Sequence, residues 1–241
     1  MVQLYNLILY QPLFNLLIFL YNLIPWHDLG IAIIILTVII KLVLYPFSQQ
    51  SLKSQKALTE LQPKLDALKK QYAHDKEKLA KEMMALYKTE KVNPLSSCLP
   101  LLIQLPFLIA VYQVFASGLD PASLKWLYSF VANPQTINSI SLGFLNLAKP
   151  NLVLAVLTGL AQYWQTKMLA VKRPPKGMAG AKDEDMMAMM NKQMLYFMPV
   201  FTVIIGISLP SGLVLYWFVM TLLTVGQQRL ILKKQPLATP P

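Results

Sequence analysis

Apolar residues in this chain fall in long unbroken runs, not in the one-sided stripes of a water-soluble helix. No charged residue occurs between Lys91 and Asp120, and none occurs among the 36 residues between Lys192 and Arg229. As a single helix the second run would be roughly 54 Å long at 1.5 Å per residue, against a bilayer hydrocarbon core of about 30 Å. Pro210-Ser211-Gly212, near its middle, is good turn chemistry. The run therefore predicts two spans, 194–209 and 213–231, joined by a tight hairpin. Three further spans are predicted at 29–47, 94–116 and 151–170, the second opened by Asn93 as N-cap and Pro94 at the first helical position. Five spans place the two termini on opposite sides of the membrane.

Between the runs the pattern changes. Segment 48–93 is polar, with Leu58, Leu61, Leu65, Leu68 and Tyr72 stepping 3-4-3-4 in a narrow seam, then Leu79, Met83, Leu86 and Tyr87 in a second stripe. The break at Ala73-His74-Asp75, with Asp75 as N-cap, predicts a helical hairpin. Residues 1–25 are apolar but interrupted, and Gln11, Asn15 and Asn22 fall within about 40° of one another on a helical wheel. That arc predicts a helix lying in the membrane interface, with a sixth span as the competing reading. No Lys or Arg precedes Lys41, so the segment lacks the basic start of a signal peptide. Loop 117–150 is rich in Asn, Ser and Pro, with apolar pieces suited to the bilayer surface. A linker is expected at 171–193 and a short tail at 232–241. The cluster Met186-Met187-Ala188-Met189-Met190 reads either as an adaptable apolar surface or as a helix entering the membrane. No internal repeat is apparent, which weakens an inverted-repeat transporter.

Composition sharpens the picture. Apolar residues make up 55% of the 241 residues and charged ones 14%, with a mean hydropathy of +0.46, against a globular norm of about 25% charged. Too few polar groups remain to coat a surface in water. The 22 Lys+Arg against 11 Asp+Glu leave a net charge of +11. Of the basic residues, 19 of 22 lie in 48–93, 167–192 and 229–241, all on one side in the five-span reading. The positive-inside rule makes that side cytoplasmic and puts the N-terminus outside. The basic hairpin 48–93 reads either as a solvated loop or as a docking surface for anionic head groups, a nascent chain or ribosomal RNA. One cysteine, Cys98, excludes an internal disulfide framework, two histidines make a zinc site improbable, and no P-loop pattern occurs. No cofactor or metal is expected.

Lys41 is the exceptional residue. It lies inside the first span, twelve positions after Leu29, where a lysine costs roughly 2.5–3.5 kcal/mol on insertion scales. No Asp or Glu lies in any of the five spans to pair with it. Snorkelling past Phe47 to the interface is one account; facing water or a partner is the other. Thr37 lies one turn earlier on the same face, and Gln104, Gln162, Gln165, Thr202, Thr221 and Thr224 are polar positions in the other spans. Each alone is ordinary helix–helix glue. Together with an unpaired cation they suggest a hydrated cavity open to the cytoplasm. It has no catalytic carboxylates and no nucleophile–base pair, so it has the character of a binding surface and not of an enzyme's active site.

Three blocks carry a family resemblance. The segment NPLSSCLPLLIQLPFLIAVYQVF (93–115) resembles the second core span of the YidC/Oxa-type membrane protein insertases. The segment MLYFMPVFTVIIGISLPSGLVLYWFVMTLLTVGQQ (194–228) resembles their last two spans, and GIAIIILTVIIKLVLYPFSQQSLKSQKALTELQPKL (30–65) their first span and cytoplasmic hairpin. The resemblance covers most of residues 25–231 in order. It implies an all-α membrane protein: five transmembrane helices around a hydrophilic groove, an N-terminal interfacial helix and a cytoplasmic helical hairpin, in a bacterial cell membrane. It also implies an insertase and chaperone that takes the polar part of a newly made membrane protein into a groove closed on the outside and releases the apolar segment into lipid.

In that reading Lys41 stands where the family usually has Arg, and Thr37, Gln104, Gln162, Gln165, Tyr216 and Trp217 line the groove. Lys keeps the charge of Arg but loses its bidentate fork. The expected partners are nascent membrane proteins, the bilayer and, where cooperation occurs, the ribosome and a Sec translocon. A working monomer without small-molecule substrate is expected. The tail QRLILKKQPLATPP is short and modestly basic, which puts ribosome docking there in doubt or shifts it to the hairpin. The large external domain of some bacterial relatives has no counterpart in the residues before Leu29, no lipobox cysteine is present, and Cys98 reads as packing. The alternative from another class is a small anion channel or transporter using Lys41 for selectivity.

Overall fold

Asp28 starts the first core helix. Its carboxylate accepts from the backbone N–H of Gly30 at 2.8 Å and of Ile31 at 3.1 Å, two donors that the helix itself cannot satisfy. The computed structural model describes residues 2–93, 99–117, 121–169 and 193–234. Cys98, the methionine cluster, the linker 171–192 and the end of the tail lie outside the described residues.

The N-terminal run consists of α1 (Val2–Tyr5), a π-helical stretch (Asn6–Tyr10) and α2 (Gln11–Leu23). The first core helix, α3 (Leu29–Val43), is followed by α4 (Tyr45–Gln71) and α5 (Lys76–Thr89). Next come α6 (Leu99–Ser117), a two-stranded antiparallel ribbon of β1 (Ile140–Ser141) and β2 (Leu145–Asn146), and α7 (Leu152–Leu169). The last helices are α8 (Met198–Gly206) and α9 (Ser211–Lys234). Apart from the ribbon, the described elements are all helical.

One core joins α2, α3, α6 and α9. Phe14, Ile18, Leu29, Ile33, Val111, Val114, Val214 and Tyr216 are buried in it. The opposite faces are apolar and exposed: Leu152, Val153, Val156 and Leu160 on α7, and Val200, Phe201 and Ile204 on α8. An apolar exterior of this extent would be a liability in water and is the expected surface in lipid. Helices α7 and α8 meet through small residues. A Cβ on Gly159 would stand 2.5 Å from Cγ2 of Val203 and 2.9 Å from the carbonyl oxygen of Pro199. No residue but glycine fits between those backbones.

Among the described residues, Gln3–Leu23 is long and apolar enough to cross a membrane. Helices α3 and α4 meet the same measure only as a pair bent by 67°, and Gln104–Phe115 and Leu195–Gly206 are shorter apolar helices. The bend has a local cause. Pro46 in the first turn of α4 supplies no N–H to the turn before it, and α3 closes on Leu44 instead. Asp75 caps α5, accepting from the N–H of Lys78 at 3.0 Å. Leu61 and Leu65 are buried on α4, whereas α5 buries none of its side chains fully. Lys64 and Glu90 join the two arms of this hairpin.

The amides of α2 turn inward to the loop that follows α6. The Asn15 Nδ2 donates to the carbonyl of Trp126 at 3.0 Å, and its Oδ1 accepts from the N–H of Tyr128 at 2.6 Å. Gln11 also donates to Trp126, and Asn22 to the carbonyl of Ala132 at 2.7 Å. The arc of Gln11, Asn15 and Asn22 is thus spent on loop backbone. Asp28 serves the same loop, accepting from Ser141 Oγ at 2.6 Å and from Leu142 N–H at 2.7 Å. At this same end the turn into α9 is pinned, since Ser211 N–H donates to the carbonyl of Lys149 at 3.0 Å and Gly212 N–H to that of Leu147 at 2.9 Å. Burial pushes the Asp28 carboxyl up, but its four donors outweigh burial and hold it below the usual carboxylate range.

Candidate functional site

The bundle has two different ends. At the loop end, α3 and α9 begin under the pinned loop; at the hairpin end lies Lys41. Lys41 is twelve residues into α3, about 18 Å along its axis, and Thr224 is thirteen residues into α9, about 20 Å along. The two helices run side by side, so the residues meet: Lys41 Nζ donates to Thr224 Oγ1 at 2.9 Å. The Thr224 hydroxyl spends its own hydrogen on the carbonyl of Met220 at 2.8 Å, leaving its oxygen free to accept. Lys41 is half-buried, and it takes part in none of the ion pairs among the described residues. An ammonium carries three donors, so two remain for a ligand or solvent.

The other residues singled out in the sequence form separate pairs. Gln104 Nε2 donates to the Tyr216 hydroxyl at 2.6 Å, tying α6 to α9, and Tyr216 is buried. Thr202 Oγ1 lies 2.5 Å from Gln162 Oε1 and 3.0 Å from the Met198 carbonyl, tying α8 to α7. Thr37 is fully buried and donates to the Ile33 carbonyl at 2.6 Å. Gln165 and Trp217 are half-buried. Trp217 contributes its carbonyl to the Thr221 hydroxyl at 2.8 Å. Among the described residues no hydrogen bond links the Lys41, Gln104 and Gln162 pairs to one another.

Sequence reading missed the next turn of α9. Gln227 Oε1 accepts from Ser48 Oγ at 2.9 Å, so α9 holds the base of α4 as well as Lys41. These two bonds straddle the bend between α3 and α4. Gln227 and Gln228 are both buried, yet Gln227 Nε2 and Gln228 Oε1 have no hydrogen-bond partner. The legible signal was the spacing of Thr221, Thr224 and Gln228, which places three polar side chains on one face. The arrangement offers a cation and amide groups inside an apolar bundle. It can bind a polar or acidic segment; it contains no group poised for covalent chemistry. Among the described residues no cluster of His, Cys, Asp or Glu could hold a metal ion.

Comparison with known proteins points the same way. A family model described as the 60Kd inner membrane protein matches residues 19–238. A protein of Fusobacterium nucleatum named membrane protein insertase YidC is 37% identical over 228 residues, which cover 94% of this chain and 98% of that one. Proteins of the same name from Magnetococcus marinus and Lawsonia intracellularis are 34% and 33% identical over 93% and 94% of this chain. In those two the match spans only 35% and 39% of the relative's length.

Proposed function

The chain belongs to the 60Kd inner membrane protein family, the YidC/Oxa-type group, and from that premise we propose that it is a membrane protein insertase and chaperone. It receives the polar tail or loop of a newly made membrane protein beside Lys41 and lets the apolar segment leave sideways into lipid. The reading takes the hairpin end as cytoplasmic, in keeping with the 19 of 22 basic residues on that side. The N-terminus and the loop end then lie outside, and α3, α6, α7, α8 and α9 are the five spans.

The observation that carries the proposal is the Lys41 ammonium on Thr224, without a carboxylate, inside an apolar bundle. Attraction between that cation and an acidic or carbonyl-rich segment offsets part of the cost of bringing polar groups to this depth. Burial of the client's own apolar segment supplies the drive, about 25 cal/mol for each Å² removed from water. No nucleotide and no covalent step is required. In this reading the half-buried Gln165 and Trp217 line the groove, and Gln104, Gln162, Thr37 and Tyr216 hold its walls from within, the first two by tying neighbouring helices together.

Insertion of a small single-span client into liposomes holding only this protein tests the reading. Wild type is expected to insert it, Lys41→Arg to keep most activity, and Lys41→Glu to impair clients with acidic tails about tenfold, roughly the effect of one lost charge-assisted contact. Equal insertion by wild type and Lys41→Ala would remove Lys41 from the mechanism.

A further inference from the structure

A second cationic cluster lies at the hairpin end, on the lipid-facing side of the bundle and separate from Lys41. Arg229 of α9 lays its guanidinium over the ring of Trp164 on α7, 4.4 Å from the centroid. Lys167, one turn further along α7, stands over Tyr163 at 5.5 Å, and Tyr163 meets the ring of Tyr196 at 6.0 Å. On the helical wheel of α7, Lys167 falls between Tyr163 and Trp164, so both cations flank one aromatic wall. Arg229, Lys167, Trp164 and Tyr196 are all exposed.

We propose that this cluster is a binding site for the headgroup of an anionic phospholipid. Depth is the first argument. The starts of α7 and α9 are held level by the bond from Ser211 N–H to the Lys149 carbonyl. Lys167 is fifteen residues beyond Leu152 and Arg229 eighteen beyond Ser211, about 22 and 27 Å along their axes. In a hydrocarbon core of about 30 Å both lie toward its opposite edge, and their long side chains extend to the headgroup region.

Charge is the second argument. Helices α7, α8 and α9 contain no Asp or Glu, and neither cation takes part in an ion pair among the described residues. The rings supply the third. Each cation rests on a π-face, which fixes its position while leaving its N–H edges to donate outward. A guanidinium edge matches two phosphate oxygens, and tyrosine and tryptophan favour this depth. The site holds whether or not the insertase reading does, since it rests on membrane depth, charge and the ring contacts.

The full-length protein with Trp164 as its only tryptophan (Trp26→Phe, Trp126→Phe, Trp217→Phe) tests this in phosphatidylcholine vesicles. A small fraction of either phosphatidylglycerol or phosphatidylcholine carries the same brominated acyl chains as quencher. Phosphatidylglycerol should associate about fivefold more strongly for each cation; equal quenching by the two lipids overturns the site. Arg229→Gln with Lys167→Gln should abolish the preference, and Arg229→Lys should retain part of it. A preference that survives the double substitution overturns the assignment to these residues.

Loss of the preference in millimolar inorganic phosphate would make this a free-phosphate site and sink the lipid reading. A preference seen only after neutralising Asp183, Glu184 and Asp185 would make that acidic run the resident partner, with the same consequence. Retention of phosphatidylglycerol by the unaltered protein through detergent extraction, read by mass spectrometry, repeats the comparison without any tryptophan change. Release of both lipids alike there would also count against the site.

Discussion

One carboxylate, Asp28, holds the start of α3 and the turn of the β-ribbon at once. Replacing it with Ala removes an N-cap, which costs about 0.5–2 kcal/mol, and leaves the Ser141 hydroxyl and the Leu142 N–H without their acceptor. Asp28→Asn keeps one acceptor oxygen and should lose less. Hydrogen exchange at Ile31 and Leu142 is the measurement: both should quicken in Asp28→Ala, and exchange unchanged at Leu142 would mean that the ribbon is held by other contacts. The same bonds carry a pH dependence. The folded carboxyl titrates below its free value, so the unfolded state binds more protons between the two, and stability rises with pH there. The contribution is complete above about pH 4 and is lost as pH falls through the lower folded value. Protection of Leu142 should therefore be flat from neutral pH to about 4 and fall only below that. Lys41 stands out in the sequence because it interrupts an apolar run, whereas Asp28, lying between two apolar segments, was not read as a cap. Their partners, Ser141 and Thr224, lie 113 and 183 residues away and are ordinary in their own neighbourhoods, so only the fold reveals them.

Between α3 and α4 the chain turns through 67°, and α9 braces both sides of that bend. Thr224 takes Lys41 above it and Gln227 takes Ser48 below. Gln227→Leu removes the lower tie and should let α4 swing. Spin labels at exposed Lys53 and Leu230, in a Cys98→Ser background, should give a broader distance distribution in Gln227→Leu than in the unsubstituted chain. Equal widths would show that the tie is idle. Lys64 and Glu90 join the arms of the hairpin of α4 and α5, while the base of α4 also meets α3, α6, α7 and α9. Deleting 58–88 should leave the remaining helices in the membrane fraction while lowering insertion several-fold; disappearance of the protein from that fraction would refute the separation. The apolar runs and the seams at Leu61 and Leu65 were legible because periodicity is a local property. The bend was not read, although Tyr45-Pro46 signals it, because the apolar pattern continues across the proline to Phe47. The amide arc of α2 was legible as an arc but not as a contact, since periodicity reports a face and not what covers it.

At the scale of the molecule the two ends differ in how they are tied. The loop end is tied through Asn15, Asn22, Asp28 and Ser211 to four places along one loop. The hairpin end carries Lys41 with donors to spare and the unpartnered amide atoms of Gln227 and Gln228. In the proposed reading the groove is closed at the loop end and offers ions no continuous path, so planar bilayers containing the protein should show no steady conductance. Sustained single-channel currents abolished by Lys41→Glu would favour the anion-channel reading.

The bonds from α2 have a consequence for how the sequence can change. Asn15 and Asn22 grip the loop by its carbonyls and N–H groups, and so does the Tyr21 hydroxyl, which accepts from the N–H of Asn138 at 3.0 Å. Main chain is the same whatever residue carries it. The grip is therefore indifferent to the identities of Trp126, Tyr128, Ala132 and Asn138 and demanding only of the three side chains that hold them. For these bonds substitution should be lopsided, accepted at a loop position such as Ala132, whose side chain makes none of them, and refused at Asn15, Tyr21 and Asn22 on the helix.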